Sequence, residues 1–145
     1  MEIVDKSIIT LDTNCFIYYF EDNAKYAAKL EPIFNKIQEG SIQGIMSVLS
    51  FLEILVKPKM ENNVFLENRY KLILSNYPNL GIIDLSLSVA DLAAKFRAKY
   101  NLKTPDAIIL ATSIYINSQY LITNDLDFKS ISDKENVSVI LLDEL

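Results

Sequence analysis

The sequence predicts an α/β protein whose parallel sheet of about five strands is covered by helices on both faces. Three observations lead there. Short β-branched apolar runs alternate along the chain with longer segments of helical periodicity, the pattern of βαβ units. The apolar runs read as strands buried on both faces, as parallel strands are. Only 3 glycines and 4 prolines occur in 145 residues, too few for a turn-rich all-β fold. No linker, repeat or low-complexity tract divides the chain, so a single domain is expected over 1–145.

The first strand, 7–11, stops abruptly at Asp12-Thr13-Asn14, three good helix caps. Residues 15–20 form a short apolar helix or turn. A helix over 24–38 places Ala27, Ala28, Leu30, Ile33, Phe34 and Ile37 at helical spacing and ends at Gly40. Residues 44–47 are a second strand, 48–56 a helix stopped by Pro58, and 61–76 another helix closed by Pro78. The third strand, 81–85, leads through Ser86 or Ser88 into an alanine-rich helix ending near Tyr100. Lys103-Thr104-Pro105-Asp106 starts the next helix, with Thr104 as N-cap, Pro105 at the first helical position and Asp106 in the first turn. That helix runs to about Gln119. The fourth strand, 120–123, ends in the polar corner 124–128, and 137–142 is the last strand.

Composition removes whole classes of function. There is no histidine, so Ser-His-Asp and Cys-His machinery are excluded, and a zinc site would have to be built from carboxylates and one thiol, against the usual preference for Cys and His. The single cysteine rules out an intramolecular disulfide. No apolar stretch is long enough to span a bilayer, and the N-terminus lacks the features of a signal peptide; a cytoplasmic protein with no membrane partner is expected. The net charge of −5 is the wrong sign for a broad basic nucleic-acid face.

What remains is carboxylate chemistry. Asp12 follows the first strand; Asp125 and Asp127 follow the fourth. Ligands of open α/β sheets bind beyond the carboxyl ends of strands, so these acids meet if the two strands are neighbours. Asp106 opens the helix that feeds the fourth strand. Glu53 lies in the nearly apolar helix segment Ser47-Val48-Leu49-Ser50-Phe51-Leu52-Glu53, on a stripe with Ser50 and Lys57. Each acid also has a simpler reading: a cap at Asp12, dipole complementation at Asp106, Asx-turns at Asp125 and Asp127, a surface pair with Lys57 at Glu53. One pocket explains them together. Several carboxylates in one small pocket need a cation, and an oxygen-only set suits Mg²⁺ or Mn²⁺.

Leu11-Asp12-Thr13-Asn14, the acid in 47–53, Thr104-Pro105-Asp106-Ala107-Ile108-Ile109-Leu110-Ala111-Thr112, and Leu121-Ile122-Thr123-Asn124-Asp125-Leu126-Asp127-Phe128 resemble, in order, the four motifs of PIN-domain ribonucleases. The small single-domain form is similar to VapC-type toxins of type II toxin–antitoxin modules, and the likeness covers essentially the whole chain. It implies a PIN-like three-layer sandwich and a Mg²⁺- or Mn²⁺-dependent endoribonuclease leaving a 5′-phosphate and a 3′-hydroxyl. It implies Asp12, Glu53, Asp106 and Asp125 as metal-carrying catalytic acids, Asp127 as an auxiliary acid, and Asn14 and Thr123 as polar supports. It further implies an RNA substrate, a cognate antitoxin and a homodimer.

Candidate RNA contacts are Lys57, Lys59, Arg69, Lys71 and the Lys95-Arg97-Lys99-Lys103 set, with Tyr18, Tyr19 and Tyr100 as stacking candidates. Two rivals stand beside the nuclease. One is a catalytically silent module that docks a partner helix on residues 16–20 and the 24–38 helix. The other is a phosphotransfer or phosphatase fold with Asp12 as nucleophile, which requires a lysine beside it.

Overall fold

A computed structural model describes residues 3–145. Five strands form one all-parallel sheet: β1 (Ile8–Leu11), β2 (Gln43–Ser47), β3 (Leu80–Ile83), β4 (Tyr120–Thr123) and β5 (Ser138–Leu141). Their spatial order is β3-β2-β1-β4-β5. The chain therefore leaves β1 towards one edge and later returns to build the other, and the direction reverses between β1 and β4. That reversal is the topological switch point at which open α/β sheets bind ligands. The register Leu11↔Ile122 puts the residues that follow β1 and β4 side by side.

Six helices cover the sheet: α1 (Thr13–Phe20), α2 (Ala27–Glu39), α3 (Val48–Met60), α4 (Val64–Asn76), α5 (Leu87–Tyr100) and α6 (Thr104–Tyr115). The alternation of side chains along each strand divides the interior into two cores. Ile9, Leu11, Met46, Ile122 and Ile140 pack with apolar residues of α1 to α4. Leu121 and Val139 pack with α5, α6 and the 3₁₀ segment Leu126–Ile131. The sandwich is three-layered, as expected.

Aromatic rings hold the first layer together. Phe34 of α2 is buried, stacks on Tyr19 of α1 at 4.1 Å between centroids, and meets Phe16 edge-on at 5.7 Å. Phe20 of α1 stacks on Tyr70 of α4 at 5.8 Å. Tyr18 stacks on Tyr26 at 5.1 Å. Tyr18 and Tyr19 are thus packed against other rings of this layer, which argues against them as base-stacking platforms. The apolar face of α2 (Leu30, Ile33, Phe34, Ile37) is likewise buried in the core, so neither it nor buried Phe16 forms an open docking face.

Several element ends differ from the sequence reading. The helix expected to stop at Pro58 continues to Met60 with Pro58 inside its last turn, and α4 starts later, at Val64. Pro58 lacks only the N–H that would have bonded one turn back, and its ring is buried. Its carbonyl still accepts from the Asn63 N–H at 2.8 Å, closing the α3–α4 turn. At α6 the cap is Lys103, not Thr104: the Ala107 N–H bonds the Lys103 carbonyl at 2.9 Å, so the first turn begins one residue earlier. The helix also ends at Tyr115, short of Gln119, whose side chain instead accepts from the Ile8 N–H at 2.6 Å.

Truncating Phe34 to Ala removes the ring on which α1 and α2 converge. Phe34→Ala should cost about 3–5 kcal/mol, read as a lower urea midpoint at unchanged slope. A loss below 1 kcal/mol would mean that the aromatic cluster does not hold this layer.

Candidate metal centre

At the carboxyl edge of the sheet, a pocket of about 260 Å³ is lined by Asp12, Glu53, Asp106 and Asp125, with Thr13 and Asn14 between them and Ile17, Pro105 and Ile109 as apolar wall. Four acids from four different parts of the chain share it. Among the described residues no three of them are drawn into a ready-made ligand cluster. They stand around the wall, and Asp12, Glu53 and Asp125 are each held by a hydroxyl or an amide.

Asp12 resolves the choice between cap and ligand by being able to do both. Its Oδ1 accepts from the Thr13 N–H at 2.7 Å as the N-cap of α1, so capping does not fall to Thr13 or Asn14. Its Oδ2 accepts from Thr123 Oγ1 at 2.7 Å. The same hydroxyl accepts from the Asp125 N–H at 3.0 Å. Asp125 in turn caps the 3₁₀ segment, its Oδ1 accepting from the Asp127 N–H at 2.9 Å. The Asx-turn at Asp125 is therefore real, and it turns the carboxylate towards the pocket.

Glu53 does not pair with Lys57, which reaches Glu21 at 3.4 Å. Its Oε1 accepts from Thr13 Oγ1 at 2.8 Å, and Thr13 Oγ1 also lies 2.8 Å from Ser50 Oγ. Thr13 and Ser50 are both buried. This pair was not singled out from sequence as site support. The available signal was Ser50 one helical turn before Glu53, on the same stripe.

Asp127 is placed elsewhere. It is solvent-exposed and faces an adjoining cavity that shares Asp106 with the acid pocket. Asn14 lines the acid pocket, and among the described residues nothing hydrogen-bonds its side chain.

Electrostatics match this crowding. Asp106 is pushed up to about 6, first by desolvation and then by the charges of Asp125 and Asp12, with Lys103 pulling the other way. Asp12 is also raised, chiefly by burial, against the Thr123 hydroxyl and the Thr13 amide. Burial pushes the Cys15 thiol well up, and its Sγ donates to the Ile122 carbonyl, which makes it a packing residue rather than a nucleophile. No lysine lines the pocket around Asp12, so the arrangement lacks what a phospho-aspartate enzyme needs. An oxygen-only donor set with lifted acid pKa values fits a hard divalent cation: it would relieve the repulsion that now favours a proton.

Comparison with known proteins gives the same direction. Residues 9–134 match the family described as PIN domain. A protein named ribonuclease VapC6 from Methanocaldococcus jannaschii is 44% identical over 61 residues, 42% of this chain; the match spans only 39% of that relative's length. Among solved structures, a toxin–antitoxin complex from Klebsiella pneumoniae contains a chain 28% identical, with a TM-score of 0.71, over 94% of this chain and 99% of that one. VapBC2 from Rickettsia felis, bound to a DNA fragment from its promoter, shares the fold at 20% identity and a TM-score of 0.69, over 92% and 98% of the two chains.

Asp106 offers a direct check on these fields. In the metal-free protein its carboxyl should titrate at about 6, followed by carboxyl-carbon NMR. Asp125→Asn, which keeps the acceptor for the Asp127 amide, should move the midpoint down. Because the folded value lies above the unfolded 3.8, the folded chain holds the extra proton between them. This group's share of stability is therefore lost as pH rises through that window, and it stays lost above it. An Asp106 midpoint near 4 would refute the crowding described.

Proposed function

The chain belongs to the PIN domain family, and on that premise we propose that it is a divalent-metal-dependent endoribonuclease acting as the toxin of a toxin–antitoxin pair. The observation that carries this is the convergence of Asp12, Glu53, Asp106 and Asp125 on one pocket at the β1/β4 switch point. The likeness to VapC6 and to the Klebsiella toxin–antitoxin chain supports RNA as substrate and an antitoxin as partner.

Asp12, Glu53, Asp106 and Asp125 would hold Mg²⁺ or Mn²⁺. When bound, such an ion supplies neutralisation of phosphate charge and a lowered pKa for a coordinated water. The chain's own contribution is positional. Thr123 and the Thr13 amide fix both oxygens of Asp12, Thr13 fixes one oxygen of Glu53, and the Asp127 amide fixes Asp125. Asp127 belongs to the proposal as an auxiliary acid that acts on Asp106 through its charge. Asn14, with no partner among the described residues, is a polar group free to meet substrate in the same pocket.

Partner binding has its own support. A cavity of about 170 Å³ between α1, α3 and α4, lined by Ile17, Phe20, Ile54, Leu66 and Tyr70 among others, shares Glu53 with the acid pocket. An antitoxin segment seated there would reach the acids. This groove keeps Ile17 and Phe20 from the 16–20 segment of the expected one and replaces the 24–38 helix with α3 and α4. A silent docking module would use it too, and catalysis separates the two readings. The exposed stripe Leu52, Val56 and Met60 on α3 supports a homodimer. No helix among the described residues is long and apolar enough to cross a membrane, and a cytoplasmic location is part of the proposal.

The purified protein should cut RNA with Mg²⁺ or Mn²⁺, leaving 5′-phosphates, and EDTA or Asp12→Asn should abolish cutting. Thr123→Val should weaken Mn²⁺ binding about 10–100-fold, the usual effect of losing a support to a metal ligand. Expression should arrest growth, and Asp106→Ala should relieve the arrest. No cleavage, or cleavage that survives both EDTA and Asp12→Asn, sinks the enzyme reading and leaves the docking module.

A further inference from the structure

Beside the acid pocket, and sharing Asp106 with it, lies a wider cavity of about 510 Å³ between the start of α6 and the 3₁₀ segment Leu126–Ile131. Its volume is in the range that takes a small organic ligand, roughly 300–1,000 Å³. Buried Leu102 and Ile131 give it an apolar base, and the exposed side chain of Leu126 stands on its wall. Asn101, Lys103 and Ser130 supply polar groups, with the carboxylates of Asp106 and Asp127 on the side towards the acid pocket and Lys103 as the cation of the lining.

Two of these groups are uncommitted. Lys25, Lys57, Lys59, Lys71, Lys99 and Lys129 all sit in ion pairs. Among the described residues Lys103 has no carboxylate within ion-pair distance, although its charge reaches Asp106. Asn101 closes α5 in the left-handed conformation, φ 54, and among the described residues its side-chain amide has no partner. The turn that carries both is pinned by Arg97, whose Nε donates to the Leu102 carbonyl at 3.0 Å. A firm turn presenting a free cation and a free amide over an apolar base suits a ligand with a flat apolar face, a hydrogen-bonding edge and a negative charge. A nucleotide has all three.

We propose that this cavity is the subsite for the unpaired nucleotide next to the scissile phosphodiester, with Lys103 on its phosphate and Asn101 and Ser130 reading its base edge. The inference rests on the RNA-cleavage reading, which the wild-type protein tests alone. A strand crossing from the acid pocket over Asp106 enters this cavity directly. Unpaired bases are the part of RNA that proteins read by edge and face.

Two measurements test it. In an Asp12→Asn background, binding of a single-stranded oligoribonucleotide is followed by fluorescence anisotropy in Mg²⁺. Lys103→Ala should weaken binding several-fold and lower the slope of log affinity against log salt by about 0.7, the single-strand value for one lost phosphate contact. Lys103→Arg should restore both. In the otherwise wild-type enzyme, Asn101→Gly keeps the left-handed backbone. Sequenced cut sites from a randomised RNA pool should then show base preference at one position beside the cut relaxed by about fivefold or more. Unchanged affinity and salt slope for Lys103→Ala, or a base profile for Asn101→Gly that matches wild type, overturns the subsite while wild-type cleavage stands. A wild type that cuts no RNA removes the nuclease reading, and the subsite with it.

Discussion

The Thr123 hydroxyl is the group on which the acid pocket depends. It is fully buried, gives its proton to Asp12 Oδ2 and takes the Asp125 N–H on its lone pair. It can do this only because β1 and β4 are neighbours in the register Leu11↔Ile122. A slip of one residue would send Thr123 to the opposite face of the sheet and separate the two acids. Strand pairing, in other words, sets the geometry of the site, and the loops elaborate it.

Around that hydroxyl the chain supports its acids with neutral donors. Thr13, Thr123 and backbone amides hold Asp12, Glu53 and Asp125, while Lys25, Lys57, Lys59, Lys71, Lys99 and Lys129 are tied to glutamates and aspartates away from the pocket. Neutral donors fix a carboxylate's direction without cancelling its charge. The pocket therefore keeps a negative field, which adds to the larger effect of burial in lifting the pKa values of Asp12 and Asp106. A site designed around internal ion pairs would have no affinity left for a cation. The overall charge of −5 is consistent with this.

The two faces of the sheet do different work. The α1–α4 layer is packed through stacked rings, and an opening between α1, α3 and α4 borders Glu53. The α5–α6 layer packs on the other core and carries Asp106 with the wider polar cavity. Asp12 and Asp125, at the switch point, belong to the sheet edge between them. In the proposed function, a partner on one side and a nucleic-acid strand on the other meet at the same acids.

Much of this was legible in the chain itself, for local reasons. An apolar run that ends in an acid places that acid at a strand end, which identified Asp12 and Asp125. A lone acid in a nearly apolar helix has few places to go, which identified Glu53. Pro105 one residue before Asp106 marked the helix start. Local pattern failed where the deciding contact was distant. Pro58 did not stop α3, because its ring is buried and its carbonyl closes the next turn; α2 offered no docking face, because its apolar stripe is covered by α1 and the sheet. Thr13 and Ser50 are ordinary in sequence and become site supports only when α1 and α3 meet. Asp127, two residues from Asp125, turned to a different cavity because the 3₁₀ segment rotates successive side chains apart. The sequence by itself determined the element types and the chemical kind of the site, since periodicity and the absence of histidine are local and compositional facts. The strand order β3-β2-β1-β4-β5 was decided only in the tertiary structure, because adjacency of β1 and β4 joins residues more than a hundred positions apart. That adjacency is what made a cap at Asp12 into one wall of a shared pocket.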